Sequence, residues 1–369
     1  MDFIVPSQMP PIATYRVLDF NAKLIDRNRP APDVIDEQAL TWHRNMLIDH
    51  GWYHVRSTKT RSFELLHGMC KLDSTGEEGI TVGSAAAFGP DDIITTQYRE
   101  TGVIAQRGYT LEDFLCQLMH NKDDPGKGRN MPVHYSGRVK TGVHAVASTL
   151  GIQTPHAVGA AYAMKLEDQR TATKRPRVAA AYFGEGAASE GDFHEALNFA
   201  AVREYPVVFI CRNNGFAIST PNREQYRGDG IASRGVGYGI EAMRVDGTDI
   251  FAVYEATVEA RRRTLADNKP ILLELMSYRS GHHSTSDDSF AYRSRQDASN
   301  WSTQHSAISL LRKWLEKKRL WTAEQDKDTR THIRKDIIAG MKVAEKKPMP
   351  PLTSSWDDVY AVYSEEQTA

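Results

Sequence analysis

The sequence predicts an α/β protein built on a mostly parallel sheet with helices on both faces. Two observations carry that expectation. Short, mostly apolar runs at 178–183 (VAAAYF), 207–211 (VVFIC) and 271–276 (ILLELM) have the composition of strands buried on both sides. Helical stretches at 155–165, 193–203 and 251–268 alternate with them, and such alternation yields parallel pairing through right-handed crossovers. The composition, 369 residues with 40% hydrophobic and 25% charged, is ordinary for a soluble globular chain. No run of about 18 apolar residues occurs, so no membrane-spanning helix is expected. With 46 basic against 47 acidic residues, the net charge of −1 gives no footprint for nucleic acid or a membrane surface. Cys70, Cys116 and Cys211 are far apart and lack CxxC spacing, which fits a reducing compartment and argues against a disulfide framework or a zinc site.

In chain order, residues 1–36 are polar and proline-rich (Pro6, Pro10, Pro11, Pro30, Pro32) and read as an extended arm. The start lacks an apolar signal core and an Arg-rich amphipathic leader, which leaves open a cytosolic chain or one whose leader is missing. A helix is expected over 36–53. Residues 54–74 show no clean period. Residues 111–120 read as a helix and 121–148, rich in Gly, Lys and His, as a long loop. The 155–165 helix has Pro155 in its first turn, and its small residues permit close approach of a neighbouring backbone. Residues 165–176 read as a charged turn, 184–191 as a loop, and Asp192 as a cap for the 193–203 helix. Residues 306–321 and 331–347 are expected to be amphipathic C-terminal helices. The domain reading is an arm (1–36), one cofactor-binding domain (37–347) and a tail (348–369).

Chemistry concentrates at two strand ends. Residues 184–192 (GEGAASEGD) leave one buried strand and enter a helix. There glycines let backbone approach a ligand, and a helix start offers free N–H groups to a phosphate. Alone, GEG reads equally well as a structural turn. Residues 212–216 (RNNGF) follow the next strand, so Glu185 and Asn214 fall at the same edge of adjacent strands, where open α/β sheets bind ligands. A carboxylate, an amide oxygen and a backbone carbonyl suit Mg²⁺, and Arg212 beside them suits a diphosphate. The bland alternative is that Asn213 and Asn214 are turn formers.

An acidic residue between two glycines, followed by Asn after the next strand, resembles the thiamine diphosphate signature. Glu185 stands where most such enzymes carry Asp. With GEGAASEGD and RNNGFAISTP, the chain resembles the alpha subunits of branched-chain 2-oxo acid dehydrogenases. The likeness extends from Tyr15 through 76–87 (GEEGITVGSAAA), 97–100 (QYRE), 126–135 (GKGRNMPVHY), 224–230 (EQYRGDG) and 278–294 (YRSGHHSTSDDSFAYRS).

The resemblance implies the thiamine-diphosphate-binding fold and oxidative decarboxylation of a branched-chain 2-oxo acid, with transfer of the acyl group to the lipoyl domain of the E2 component. It implies a beta-subunit partner in an α₂β₂ heterotetramer, which supplies the carboxylate that activates the aminopyrimidine, and residence in the mitochondrial matrix. By position, Glu185, Asn214 and the Phe216 carbonyl would hold Mg²⁺. Tyr98, Arg99, Gly186, Ala187, Arg212 and His283 would contact the cofactor, and Ser148 and Leu150 its aminopyrimidine side. Gln97 and Tyr98 would border the substrate. His283 would be the proton donor in acyl transfer, its pKa tuned near working pH between Arg279 and Asp287; without the family, His282 and His283 read as loop polarity. The polar loop 280–294 holds five serines and Thr285. The resemblance implies a regulatory kinase and phosphatase acting on Ser284 and Ser294, with phosphate at Ser284 repelling the lipoyl domain; the bland reading is an unmodified loop.

Two departures stand out. The family pattern preceding the 76–87 block is absent from 54–74, which points to a misplaced coding boundary or a divergent paralogue. The family's K⁺ loop uses hydroxyls where this chain has Ala147 and Ile152. Gln153 remains as a K⁺ ligand, Thr154 is the candidate replacement, and a weakened site is expected. The competing assignments are a pyruvate dehydrogenase alpha subunit, disfavoured by GEGAASEGD and GHHSTSDD, and an inactive paralogue, disfavoured by retention of Glu185, Asn214, Arg99, Arg212 and His283.

Overall fold

A computed structural model describes residues 3, 5, 8–30, 32–57 (backbone alone for 52–57), 75–136, 141–284 and 286–357. The divergent stretch therefore lies outside the described residues from 58 to 74. So do Pro6, Cys70, Thr285 and the tail beyond 357.

The elements run in order: β1 (Thr14–Tyr15), α1 (Asp36–Ser57), α2 (Glu78–Ala85), β2 (Ile93–Thr95), α3 (Thr101–Gln106), α4 (Leu111–Leu118), α5 (Gln153–Thr171), β3 (Ala179–Gly184), α6 (Gly191–Arg203) and β4 (Val207–Asn213). A short hairpin, β5 (Phe216–Ala217) and β6 (Thr220–Pro221), leads to α7 (Asn222–Gln225) and α8 (Ala232–Gly237). Then come β7 (Glu241–Asp246), α9 (Ile250–Asp267), β8 (Ile271–Met276), α10 (Arg295–Asn300), α11 (Ala307–Lys317) and α12 (Ala323–Glu345).

Six strands form one parallel sheet in the order β1-β7-β8-β4-β3-β2. The expected α/β architecture is thus what the chain adopts. Alternation along each strand divides the core in two. Ala180, Tyr182, Val208 and Ile210 face one cluster with side chains of α1, α2, α9, α11 and α12, while Ala179, Ala181, Phe183, Val207 and Phe209 face the other with α5 and α6. Every residue of β4 is buried, which is why its sequence is an unbroken apolar run up to the site. Cys116 and Cys211 are buried free thiols. No helix among the described residues is long and apolar enough to cross a membrane.

The extended arm docks along the sheet edge, where β1 pairs with β7 and the Val17 and Leu18 N–H groups donate to Asp249 Oδ2. Three other expectations need correction. Helix α5 continues through the supposed charged turn to Thr171, since Lys, Glu and Arg are good helix formers and neither Gly nor Pro intervenes before Pro176. Asp192 lies inside α6, whose capping position is Glu190; its charge acts on the helix dipole instead. Helix α12 begins at Ala323, ahead of the expected 331, behind a Thr322–Gln325 capping box.

Candidate active site

Strands β3 and β4 end together, with Gly184 opposite Arg212. The next residues, Glu185 and Asn214, meet at that edge, and the Asn214 N–H donates to Glu185 Oε2 at 3.4 Å. Gly186 is needed for the approach, because a Cβ there would stand 3.1 Å from Ala217 Cβ. Gly215, at φ +86°, turns the chain back into the hairpin. A cleft of about 340 Å³ opens above this edge. Gln97, Tyr98, Arg99, Leu150, Glu185, Gly186, Ala187, Arg212, Asn214, Phe216 and His283 line it, so residues picked from five separate stretches of sequence meet there. Ser148 and Gln153 do not line it. The Ser148 hydroxyl lies 2.7 Å from His134 Nε2, and Gln153 is buried behind it, donating to the Tyr182 carbonyl. A larger groove, about 550 Å³ between α5 and α6, is mostly apolar and brings no reactive groups together.

The tandem asparagines have different tasks. Asn213 is a brace: its Nδ2 donates to Glu274 Oε1 and the Tyr226 hydroxyl, and its Oδ1 accepts from Gly215 N and Asn222 Nδ2. The turn-former reading holds for Asn213. Asn214 faces the cleft, with Nδ2 donating to Glu77 Oε1 at 2.8 Å and Oδ1 accepting from Phe216 N.

Arg212 was expected simply beside a diphosphate. It lines the cleft but is anchored from beneath, Nε donating to Glu100 Oε1 at 2.6 Å and Nη1 to Glu77 Oε2 at 2.5 Å. Three buried glutamates, Glu77, Glu100 and Glu185, therefore surround one guanidinium, so negative charge exceeds positive around Arg212 by at least one even with Glu185 protonated. Burial, with Glu77 adding to it, pushes the Glu185 carboxyl up to about 7. Such a floor calls for a cation. No cluster of three His, Cys, Asp or Glu ligands exists among the described residues, so an oxygen site of one carboxylate, one amide and one carbonyl is what the edge offers.

His283 is held by two arginines. Its Nδ1 is 3.0 Å from both Arg99 Nη2 and Arg279 Nη1, and its backbone N–H donates to Asp287 Oδ2. Arginine only donates, so Nδ1 is an acceptor and the neutral ring carries its proton on Nε2. Burial, then Arg99 and Arg279, lowers its pKa to about 3, outweighing Asp287. This corrects the expectation of a pKa near working pH. In the polar loop, Ser284 Oγ meets Ser286 Oγ, while Ser294 is exposed and caps α10 by accepting from Asp297 N.

The K⁺ loop is not assembled as the family pattern requires. Thr154, the candidate replacement, bonds the Gly151 carbonyl at 2.7 Å. Gln153 Oε1 is the one side-chain oxygen there that is buried with no partner among the described residues.

Sequence reasoning passed over Glu77 and Glu100 as site residues, and took Arg279 only as a neighbour of His283. Their signal was faint: each is a charged residue inside a matching block, and each is almost completely buried.

The dehydrogenase E1 component family model matches residues 46–353. Over 360 residues, 98% of this chain and 79% of the relative, the sequence is 46% identical to the mitochondrial 2-oxoisovalerate dehydrogenase subunit alpha of Mus musculus. It is 43% identical over 366 residues to subunit alpha 2 of that name from Arabidopsis thaliana, covering 98% of this chain and 74% of the relative. The Caenorhabditis elegans subunit alpha is 41% identical over 364 residues, 98% of this chain and 81% of the relative.

Proposed function

The chain belongs to the dehydrogenase E1 component family, a thiamine-diphosphate-dependent family, and on that footing we propose that it is the alpha subunit of a branched-chain 2-oxo acid dehydrogenase. The observation that carries this reading is the meeting of Glu185 and Asn214 at the ends of adjacent strands, over a floor with surplus negative charge. Its partners are a beta subunit, with which it forms an α₂β₂ heterotetramer, and the lipoyl domain of the E2 component. Its place is the mitochondrial matrix, a reading supported by the word mitochondrial in the relatives' names.

Glu185, the Asn214 amide oxygen and the Phe216 carbonyl would hold Mg²⁺, an arrangement that suits an ion preferring few protein ligands plus phosphate oxygens. Arg99, Arg212 and His283 would face the diphosphate, with Tyr98, Gly186 and Ala187 against the same molecule. Leu150, on the cleft wall, would flank its aminopyrimidine; Ser148 would act there only through a rearrangement of its bond to His134. Bound thiamine diphosphate supplies the nucleophilic carbon and the electron sink for decarboxylation. Gln97 and Tyr98 border the space left for the 2-oxo acid. Gln97 is pinned through its backbone N–H to Glu100 and keeps Nε2 without a partner among the described residues, a donor available to substrate oxygen. Neutral His283 keeps an N–H at Nε2, with which it would donate a hydrogen bond to the oxygen that carries charge during acyl transfer. Phosphate on Ser284, one residue from His283, would repel an incoming lipoyl domain.

The test is decarboxylation of 3-methyl-2-oxobutanoate against pyruvate by this chain with its beta subunit, thiamine diphosphate and Mg²⁺. A strong preference for the branched acid, abolished in Glu185→Ala, is expected. Preference for pyruvate would move the chain to the sister enzyme, and inactivity of a well-formed complex would make it a non-catalytic subunit.

A further inference from the structure

Glu77 stands at the N-cap position of α2, and its side chain makes no capping bond there. It is wholly buried and turned into the cleft floor. One oxygen accepts from Arg212 Nη1 and the other from Asn214 Nδ2, across 135 and 137 residues of sequence. No other carboxylate among the described residues is shown bonding both side chains. Glycines bring it there. A Cβ on Gly76, at φ +101°, would lie 2.0 Å from the Tyr278 carbonyl, and one on Gly79 would lie 2.5 Å from Ala307 Cβ and 2.8 Å from the Gly247 carbonyl. Only an uncluttered backbone sets the start of α2 this deep.

We infer that Glu77 is the positioning residue of the cofactor site, one carboxylate that fixes the Asn214 amide and the Arg212 guanidinium in a single orientation. The inference rests on the reading of Asn214 as a Mg²⁺ ligand and Arg212 as a diphosphate contact. Both ends of the Asn214 amide are assigned. Reversing it would place Oδ1 against the Glu77 carboxylate and the NH₂ group against the Phe216 N–H. With Nδ2 held by Glu77, Oδ1 keeps a lone pair for a metal. Arg212 is likewise clamped on Nε by Glu100 and on Nη1 by Glu77, which sets the plane of its fork. A glutamine at 77 has one acceptor and one donor end, so it satisfies one partner and opposes the other.

The experiment uses the complex with the beta subunit and titrates thiamine diphosphate with Mg²⁺ by calorimetry, alongside kcat at saturating cofactor. E77Q is expected to weaken cofactor affinity about 10- to 100-fold, with a smaller fall in kcat once the site is filled. D326N, which disturbs the buried His43–Asp326 pair joining α1 and α12, is the comparator. It should lower the melting temperature and leave cofactor affinity unchanged, which separates positioning from general loss of stability. Wild-type affinity in E77Q overturns the inference, as does equal weakening in D326N. If E77Q does not assemble, E77D keeps the charge but draws the carboxylate back by one methylene; weakened binding supports the inference and unchanged binding overturns it. N214A tests the underlying reading separately. If N214A binds the cofactor normally, the site assignment itself fails, whereas loss in N214A with normal binding in E77Q sinks only the role of Glu77.

Discussion

Replacing Arg279 should return His283 toward ordinary titration. The guanidinium sits 3.0 Å from Nδ1 and is buried. At that separation, Coulomb's law gives about 1.4 kcal/mol at the dielectric of water and about 5.5 kcal/mol at an effective dielectric of 20, or roughly one to four pKa units. The imidazole is only half-buried, so screening favours the low end. R279Q should therefore raise the His283 midpoint by at least about one unit, while R279K, which keeps the charge, should move it little. The sign follows from the folded pKa of about 3, below the ordinary 6.5. Below pH 6.5 the unfolded chain takes up this proton first, so the group subtracts stability progressively as pH falls toward 3. The assay is the pH dependence of ethoxyformylation at His283, read by peptide mass mapping of the cofactor-free complex, since only neutral imidazole reacts. Wild-type His283 should stay reactive well below pH 5. A wild-type midpoint near 6.5, or an R279Q midpoint equal to wild type, refutes the reasoning.

Three further outcomes are expected. Asp249→Asn keeps an acceptor for the α9 cap but leaves the Val17 and Leu18 N–H groups without the oxygen they now share, costing about 2–6 kcal/mol; hydrogen exchange at those amides should accelerate, and unchanged protection would contradict it. Melting temperature should not distinguish K⁺ from Na⁺ in this protein, whereas A147S/I152T should gain a K⁺-specific rise; a K⁺-specific rise in the wild type would show that the loop still binds. Gly76→Ala forces a Cβ against the Tyr278 carbonyl and should cost at least about 3 kcal/mol, read as a fall in melting temperature together with weaker cofactor binding.

The central sheet was legible because β3, β4 and β8 are sandwiched between layers and so are mostly apolar, with Glu274 and the Arg212–Asn213 end of β4 as the polar exceptions. The edges were not. Strand β2 has three residues, and β7 alternates exposed Glu241 and Met243 with polar and apolar neighbours in a pattern too weak to read. Helix α2 was hidden for the opposite reason: all eight of its residues are buried, Glu78, Thr81 and Ser84 included, so no polar face marks it as a helix. At the site, the pairing of Glu185 with Asn214 followed from strand spacing alone. The roles of Glu77 and Glu100 did not, because each depends on contacts more than 100 residues away. His283 was misjudged electrostatically. Asp287, four positions along, suggested a balanced environment, but Asp287 takes the backbone N–H of His283 while Arg99, 184 residues distant, takes the ring.

The clasp between the arm and Asp249 has a temporal side. Residues 17 and 18 emerge from the ribosome early, yet the carboxylate that receives them follows 231 and 232 residues later, roughly 10 to 50 seconds at ordinary synthesis rates. The strand that β1 joins, β7, is also made late. A segment made early is thus among the last able to dock, and the sheet must close outward from β3 and β4 before its β1 edge can be sealed. A chain stalled before residue 249 should carry an arm that proteases cut readily, and the same arm should become resistant once α9 has folded.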